Sequence, residues 1–167
     1  ARPLRVCIAS FDLVGPIRKG GVGTASTWLA EALAAAGHDV TVLYLSGQWC
    51  ENKTLDHWIE EYRRKNIRFV PLPEASSLKM VASWHQAKAY ETYLYLKDQA
   101  FDIIHFSEWR GPGYYSILAR RQGLAFARTT LCVHTHGPTF WSRLSNGEYI
   151  REPEDLDLDF LERKSVE

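Results

Sequence analysis

The sequence predicts an α/β fold, a Rossmann-like doubly wound parallel sheet with helices on both faces, from three observations. Short apolar runs alternate with segments of helical periodicity along the chain. The first two runs, residues 4–10 and 40–45, flank one such segment, and a strand-helix-strand unit of this kind sets its strands parallel. Glycines and polar residues gather just after the strand runs, where open α/β sheets place their ligands.

Leu4 to Ser10 is an apolar run bounded by polar residues, as expected of a strand buried on both faces. After a loop with Gly15 and Pro16, apolar residues at Val22, Ala25, Leu29, Ala32, Leu33 and Ala36 recur at helical spacing, and Gly37 marks the stop. His38-Asp39 leads into the second strand, Val40 to Leu45. Thr54 to Asn66 reads as a surface helix, and Ile67 to Leu72 as a short strand closed by Pro71 and Pro73. Ser76 to Gln99 reads as a long helix whose stripe of Met80, Trp84, Ala87, Tyr90 and Leu94 faces the sheet, with His85 beside it. Phe101 to Phe106 is a fourth strand, Gly113 to Gln122 a short helix, and Thr129 to Thr135 a fifth strand ending at His136-Gly137. Residues 138–149 read as loop, and Glu152-Pro153-Glu154-Asp155 as the acidic start of a last helix. The charged stretches 60–68 and 152–159 read as solvated faces.

At 167 residues with 46% hydrophobic content, the chain suits a single domain spanning residues 1–167. Twenty Lys and Arg balance twenty Asp and Glu, so bulk charge draws it toward neither nucleic acid nor an anionic membrane. Cys7, Cys50 and Cys132 form an odd set without C-x-x-C spacing, which speaks for a reducing, cytoplasmic setting without a disulfide framework or a bound metal. Ala1-Arg2-Pro3 leads straight into a strand, and no apolar run has membrane-spanning length, so a soluble protein is expected.

Lys19-Gly20-Gly21-Val22-Gly23-Thr24 stands where a strand hands over to a helix, a position whose backbone N–H groups and helix dipole favour phosphate. A partition-type ATPase loop needs a lysine followed by Ser or Thr after the last glycine, and Thr24-Ala25 stand there instead. A dinucleotide fingerprint needs its glycines directly after the strand, whereas residues 11–18 intervene. Taken alone, the glycines serve equally well to shape a tight turn.

A long first loop, the K-G-G-V-G run of Lys19 to Gly23, and the strand entry Gly37-His38-Asp39-Val40-Thr41-Val42 together resemble the opening of glycogen-synthase-like, family 4 type, GT-B fold glycosyltransferases. Asp102-Ile103-Ile104-His105-Phe106-Ser107-Glu108-Trp109 is similar to that family's D-h-h-H-x-H-D-W strand end, where h is apolar, with Ser107 and Glu108 departing from the common histidine and aspartate. Val133-His134-Thr135-His136-Gly137 is similar to its h-x-T-x-H-[GDN] strand end, and Phe160 to Glu167 resembles the helix ahead of the domain's last strand.

The resemblance implies an N-terminal, acceptor-side domain of a retaining transferase that moves a sugar from a nucleoside-diphosphate sugar to a hydroxyl acceptor. It implies donor contact at Lys19, Gly20, Gly21, Val22, Gly23 and Gly137, a catalytic-site role for His136, and acceptor or cleft positions at His105, Glu108 and Trp109. His105 read by itself is a core histidine, since buried polar groups usually have structural partners. His134, two residues before His136, shares its face of an extended strand and is left without a role. No tightly bound cofactor is expected: the donor is a substrate. The C-terminal donor-binding domain, with its E-x7-E element, is expected outside this chain, so that the chain alone turns over negligibly. The family resemblance allows work at a membrane surface, which the neutral charge does not support. Trp109, Tyr114, Tyr115, Phe140 and Trp141 follow strand ends, and both sugar stacking and packing beneath loops stay open for them. The alternative reading is a non-catalytic α/β module that binds a small anion or a partner protein.

Overall fold

The computed structural model describes residues 2–17, 20–74 and 81–167. In chain order they form β1 (Arg5–Ser10), α1 (Gly21–Ala35), β2 (Asp39–Tyr44), α2 (Leu55–Arg64), β3 (Ile67–Pro71), α3 (Trp84–Leu96), β4 (Ile103–Ser107), α4 (Tyr114–Arg121), β5 (Thr130–His134), α5 (Thr139–Ser145) and α6 (Pro153–Val166). The five strands make one sheet in the order β3-β2-β1-β4-β5, so the direction of winding reverses between β1 and β4 as in Rossmann-like α/β folds. β1 pairs in parallel with β2 from Arg5 opposite Asp39 to Ser10 opposite Tyr44, and β2 pairs in parallel with β3.

The chain groups into two compact units. The first comprises Ala1–Pro73, Gln99–His105 and Arg128–Cys132. Its core holds Ile8, Leu13, Ala30, Val40, Val42, Tyr44, Tyr62, Ile67 and Phe69, with Leu29, Leu33, Leu55 and Ile59 partly buried against it. β1 and β2 are buried at every position after their first, which accounts for the unbroken apolar runs in the sequence. α2 supplies Leu55, Ile59 and Tyr62 at helical spacing, and the Thr54 side chain caps it by accepting from the His57 N–H. Within residues 60–68 the charged groups are solvent-facing ion pairs, such as Arg63 with Glu60, whereas Tyr62 and Ile67 belong to the core.

The apolar row of α1 is only partly buried, with Leu29 and Leu33 packed against the core. Ala25, Ala32 and Ala36 are exposed, and the buried residues are Gly23, Ser26, Thr27 and Ala30. Small side chains on that face let the helix approach the backbone closely. A Cβ added at Gly23 would lie 3.0 Å from Asp12 Cβ and 3.3 Å from Leu13 N. Hydropathy favoured the alanine row, but closeness of approach decided the packing.

The second unit comprises Glu74–Asp98, Phe106–Ala127 and Val133–Glu167, in which α3, α4 and α6 pack on one another and α5 packs on α6. The long helix expected over 76–99 is described only from Trp84, after Ser83 caps it by accepting from Gln86 N. Met80 and the expected start at Ser76 lie outside the described residues. Its buried positions are Ala89, Thr92 and Leu96 rather than the expected stripe, and Trp84 is 44% exposed. Residues 138–149, expected as loop, contain α5. α5 has no fully buried residue and hence no strong apolar stripe to announce it in the sequence. α6 starts where the acidic run places it, with Pro153 in its first turn and a reciprocal cap between Glu152 and Asp155. Among the described residues, no helix is long and apolar enough to cross a membrane.

Candidate functional site

Two constellations stand at carboxyl ends of strands, one in each unit. The first begins where β1 ends. Residues 11–17 leave the strand as a loop whose peptide groups are tied down by hydroxyls. Ser46 donates to the Phe11 carbonyl at 2.9 Å, and Ser10 donates to the Asp12 carbonyl at 2.8 Å. The Val14 N–H donates to Thr27 Oγ1 at 2.9 Å, and the Tyr62 hydroxyl donates to the Val14 carbonyl at 3.0 Å. Thr27 and Tyr62 also meet each other at 3.2 Å. Burial pushes the Tyr62 hydroxyl up to about 12, so it remains a donor at neutral pH. Bonds from strand, helix and turn thus fix the loop against which the glycine run packs.

That run opens α1, with Gly20 at the cap and Gly21 the first helical residue. Asp12, Leu13, Val14, Ile17, Gly20, Gly23 and Thr24 line a small pocket there. The glycines are not equivalent. A Cβ at Gly20 would come within 2.8 Å of Asp12 Oδ2, and one at Gly23 would press on the Asp12 backbone, but Gly21 has nothing within 4 Å. Gly20 and Gly21 are exposed, Val22 is half-buried and Gly23 is buried. Lys19 lies outside the described residues.

The second constellation follows β4 and β5. Glu108 and Glu162 are each 1% exposed. Glu108 N donates to the His134 carbonyl at 2.9 Å, which joins the two strand ends. Its Oε1 accepts from the backbone N–H of His136 at 2.5 Å and of Gly137 at 2.6 Å. Glu162, one helical turn beyond Leu158 on the buried side of α6, accepts at Oε1 from Arg110 N at 2.9 Å and Thr139 Oγ1 at 2.7 Å. Its Oε2 accepts from Thr139 N at 2.7 Å. Burial raises the Glu162 carboxyl above the usual carboxylate range, these hydrogen bonds oppose the shift, and the Glu108 charge adds to it. Gly137 has φ +115°, a backbone state that favours glycine and lets the chain turn sharply after His136.

The His136 ring is solvent-exposed and lies parallel to His134, with centroids 6.2 Å apart and planes within 12°. The two histidines share a face, as extended geometry requires. His134 is half-buried, and desolvation followed by the nearby His136 holds its imidazole below the ordinary value despite the opposing Glu108 charge.

A family model described as a glycosyl transferase 4-like domain matches residues 20–163. The chain belongs to that family. A comparison with curated proteins gives no match. For a glycosyl transferase 4-like domain, a sugar donor and an acceptor are the substrates in general terms.

Of the residues expected at the site of this domain, Glu108, His136 and Gly137 converge on one turn. Glu108 does so as a buried acceptor for backbone amides rather than as a surface group. Trp109 is half-buried, with the Arg110 guanidinium 4.3 Å from its ring centroid and 5.5 Å from that of Trp84. His105 is half-buried on β4. Tyr114 packs edge-on against Phe160 and Tyr115 against Tyr90, so these two are packing residues, whereas Trp141 is 65% exposed. Sequence reasoning missed Glu162, Thr139 and Arg110. A signal existed for the first: Leu158, Leu161, Glu162 and Ser165 share one buried helix face, and a carboxylate in such a row is in need of donors.

Proposed function

We propose that this domain is the N-terminal, acceptor-side half of a retaining glycosyltransferase that moves a sugar from a nucleoside-diphosphate sugar to a hydroxyl acceptor. The observation that carries the reading is an exposed His136 on a turn whose backbone is held by a buried carboxylate. A rigid backbone beneath an exposed imidazole is what a group needs if it is to meet a reacting sugar in one geometry. Family membership supports transfer as the chemistry.

In this reading Gly20, Gly21, Val22 and Gly23, with Lys19 just before them in the sequence, contact the donor. His136 and Gly137 lie beside the donor sugar, and Glu108, Trp109 and His105 belong to the acceptor side. His136 acts by donating to a sugar hydroxyl or by stabilising charge as the diphosphate departs. The groups that neutralise the diphosphate belong to a second α/β domain, so the chain by itself turns over negligibly. The enzyme binds no resident cofactor and works in the cytoplasm.

The test is His136→Ala in the intact transferase, offered UDP-glucose, UDP-N-acetylglucosamine, ADP-glucose and GDP-mannose in turn, with release of nucleoside diphosphate as the readout. Loss of an oxyanion-type donor costs about 10²–10³ in kcat. Unchanged turnover in His136→Ala, or brisk transfer by the isolated chain, refutes the assignment.

A further inference from the structure

We propose that Glu162, acting with Glu108, is a positioning residue that holds His136 in its working geometry by claiming every backbone N–H of the turn from His136 to Thr139. The inference rests on the transferase reading above. His136 and Gly137 donate to Glu108, Pro138 has no N–H to give, and Thr139 donates to Glu162. The same Glu162 carboxylate receives Arg110 N and the Thr139 hydroxyl, so it ties the loop after β4 to the turn after β5 from a third element, α6.

The arrangement is an expensive way to stabilise a turn. Both carboxylates are almost fully buried, neither forms an ion pair among the described residues, and the charge of one opposes ionisation of the other. Glu108 Oε2 is buried with no hydrogen-bond partner among the described residues. Neutral side chains fill helix-packing positions at lower cost. What a carboxylate supplies here is geometry, because one planar group accepts several charge-assisted bonds at fixed angles. Glu162 has no hydrogen bond to the His136 ring, so its effect on transfer passes through the backbone.

The experiment compares the chain with Glu162→Gln and Thr139→Val by amide and imidazole NMR, and compares the same variants in the intact transferase by nucleoside-diphosphate release from the four sugar nucleotides named above. Glutamine has one accepting oxygen, so its NH2 group faces either the Thr139 N–H or the Arg110 N–H. Thr139→Val removes only the hydroxyl bond and spares the fold if the glutamine variant fails to fold. The expected result has three parts. The Arg110 and Thr139 amides shift in Glu162→Gln, the His136 ring resonances shift in both variants, and kcat falls about 10- to 100-fold with KM for the sugar nucleotide unchanged. A still His136 ring in both variants overturns the proposal, and so does a moved ring with wild-type kcat. If the unaltered transferase releases nucleotide from none of the four, the transferase reading fails separately, and the ring shifts still decide whether the two carboxylates hold His136.

Discussion

Gly21→Ala separates what the fold needs from what a ligand needs. Gly21 is the first residue of α1, and an added Cβ meets nothing within 4 Å. Its backbone is helical, so alanine enters without strain and lowers the entropy of the unfolded chain, stabilising the fold by about 0.4–1 kcal/mol. For a chain of this size that is a rise in melting temperature of about 1–4 °C. If the diphosphate approaches this backbone, the same methyl group fills its space. The overpacking costs about 1–3 kcal/mol, or about 5- to 150-fold in affinity. The assay pairs a thermal melt with calorimetric titration of UDP, GDP and ADP into the intact transferase. Gly23→Ala is the control, because its Cβ would press on Asp12 C at 3.2 Å and Leu13 N at 3.3 Å and so lower the melting temperature without any ligand. A lower melting temperature for Gly21→Ala refutes the packing argument. A higher one with unaltered nucleotide affinity removes Gly21 from the donor site.

Three further outcomes are expected. Tyr62→Phe strips the bond to the Val14 carbonyl and the partner of Thr27, costing about 1–3 kcal/mol in urea unfolding, with the N–H of Val14 exchanging faster. Wild-type exchange at Val14 in that variant contradicts the clamp on the first loop. Gly111→Ala combines φ +57° with a Cβ 2.5 Å from Leu161 Cβ and 2.7 Å from Leu161 C, so it destabilises by about 2–4 kcal/mol, and a mutant as stable as the parent disproves that close approach. His85 and His134 both titrate below the ordinary histidine value when folded, chiefly through desolvation. The unfolded chain therefore binds more protons than the folded one as pH falls below about 6.5, and these two groups lower stability on acidification. Urea midpoints at pH 7.5 and 5.5 should differ less in His134→Gln than in the parent, and equal differences exclude His134 from the effect.

The sequence by itself determined the order of the strands and of every helix except α5, because burial on both faces of a parallel strand leaves an uninterrupted apolar run and amphipathic helices leave a 3.6-residue period. β1 and β2 were legible to within one residue for this reason. It also determined that Gly20 to Gly23 open a helix and that His136-Gly137 end a strand. Only tertiary structure decided which face of α1 turns inward, since close backbone approach, not hydropathy, selected Gly23, Ser26, Thr27 and Ala30. α5 escaped the sequence because it buries no residue fully. The partnership of Glu108 with Glu162 escaped for a different reason. The 53 residues between them hide the pairing, and a carboxylate becomes a positioning group only when the fold brings distant backbone N–H groups to its two oxygens.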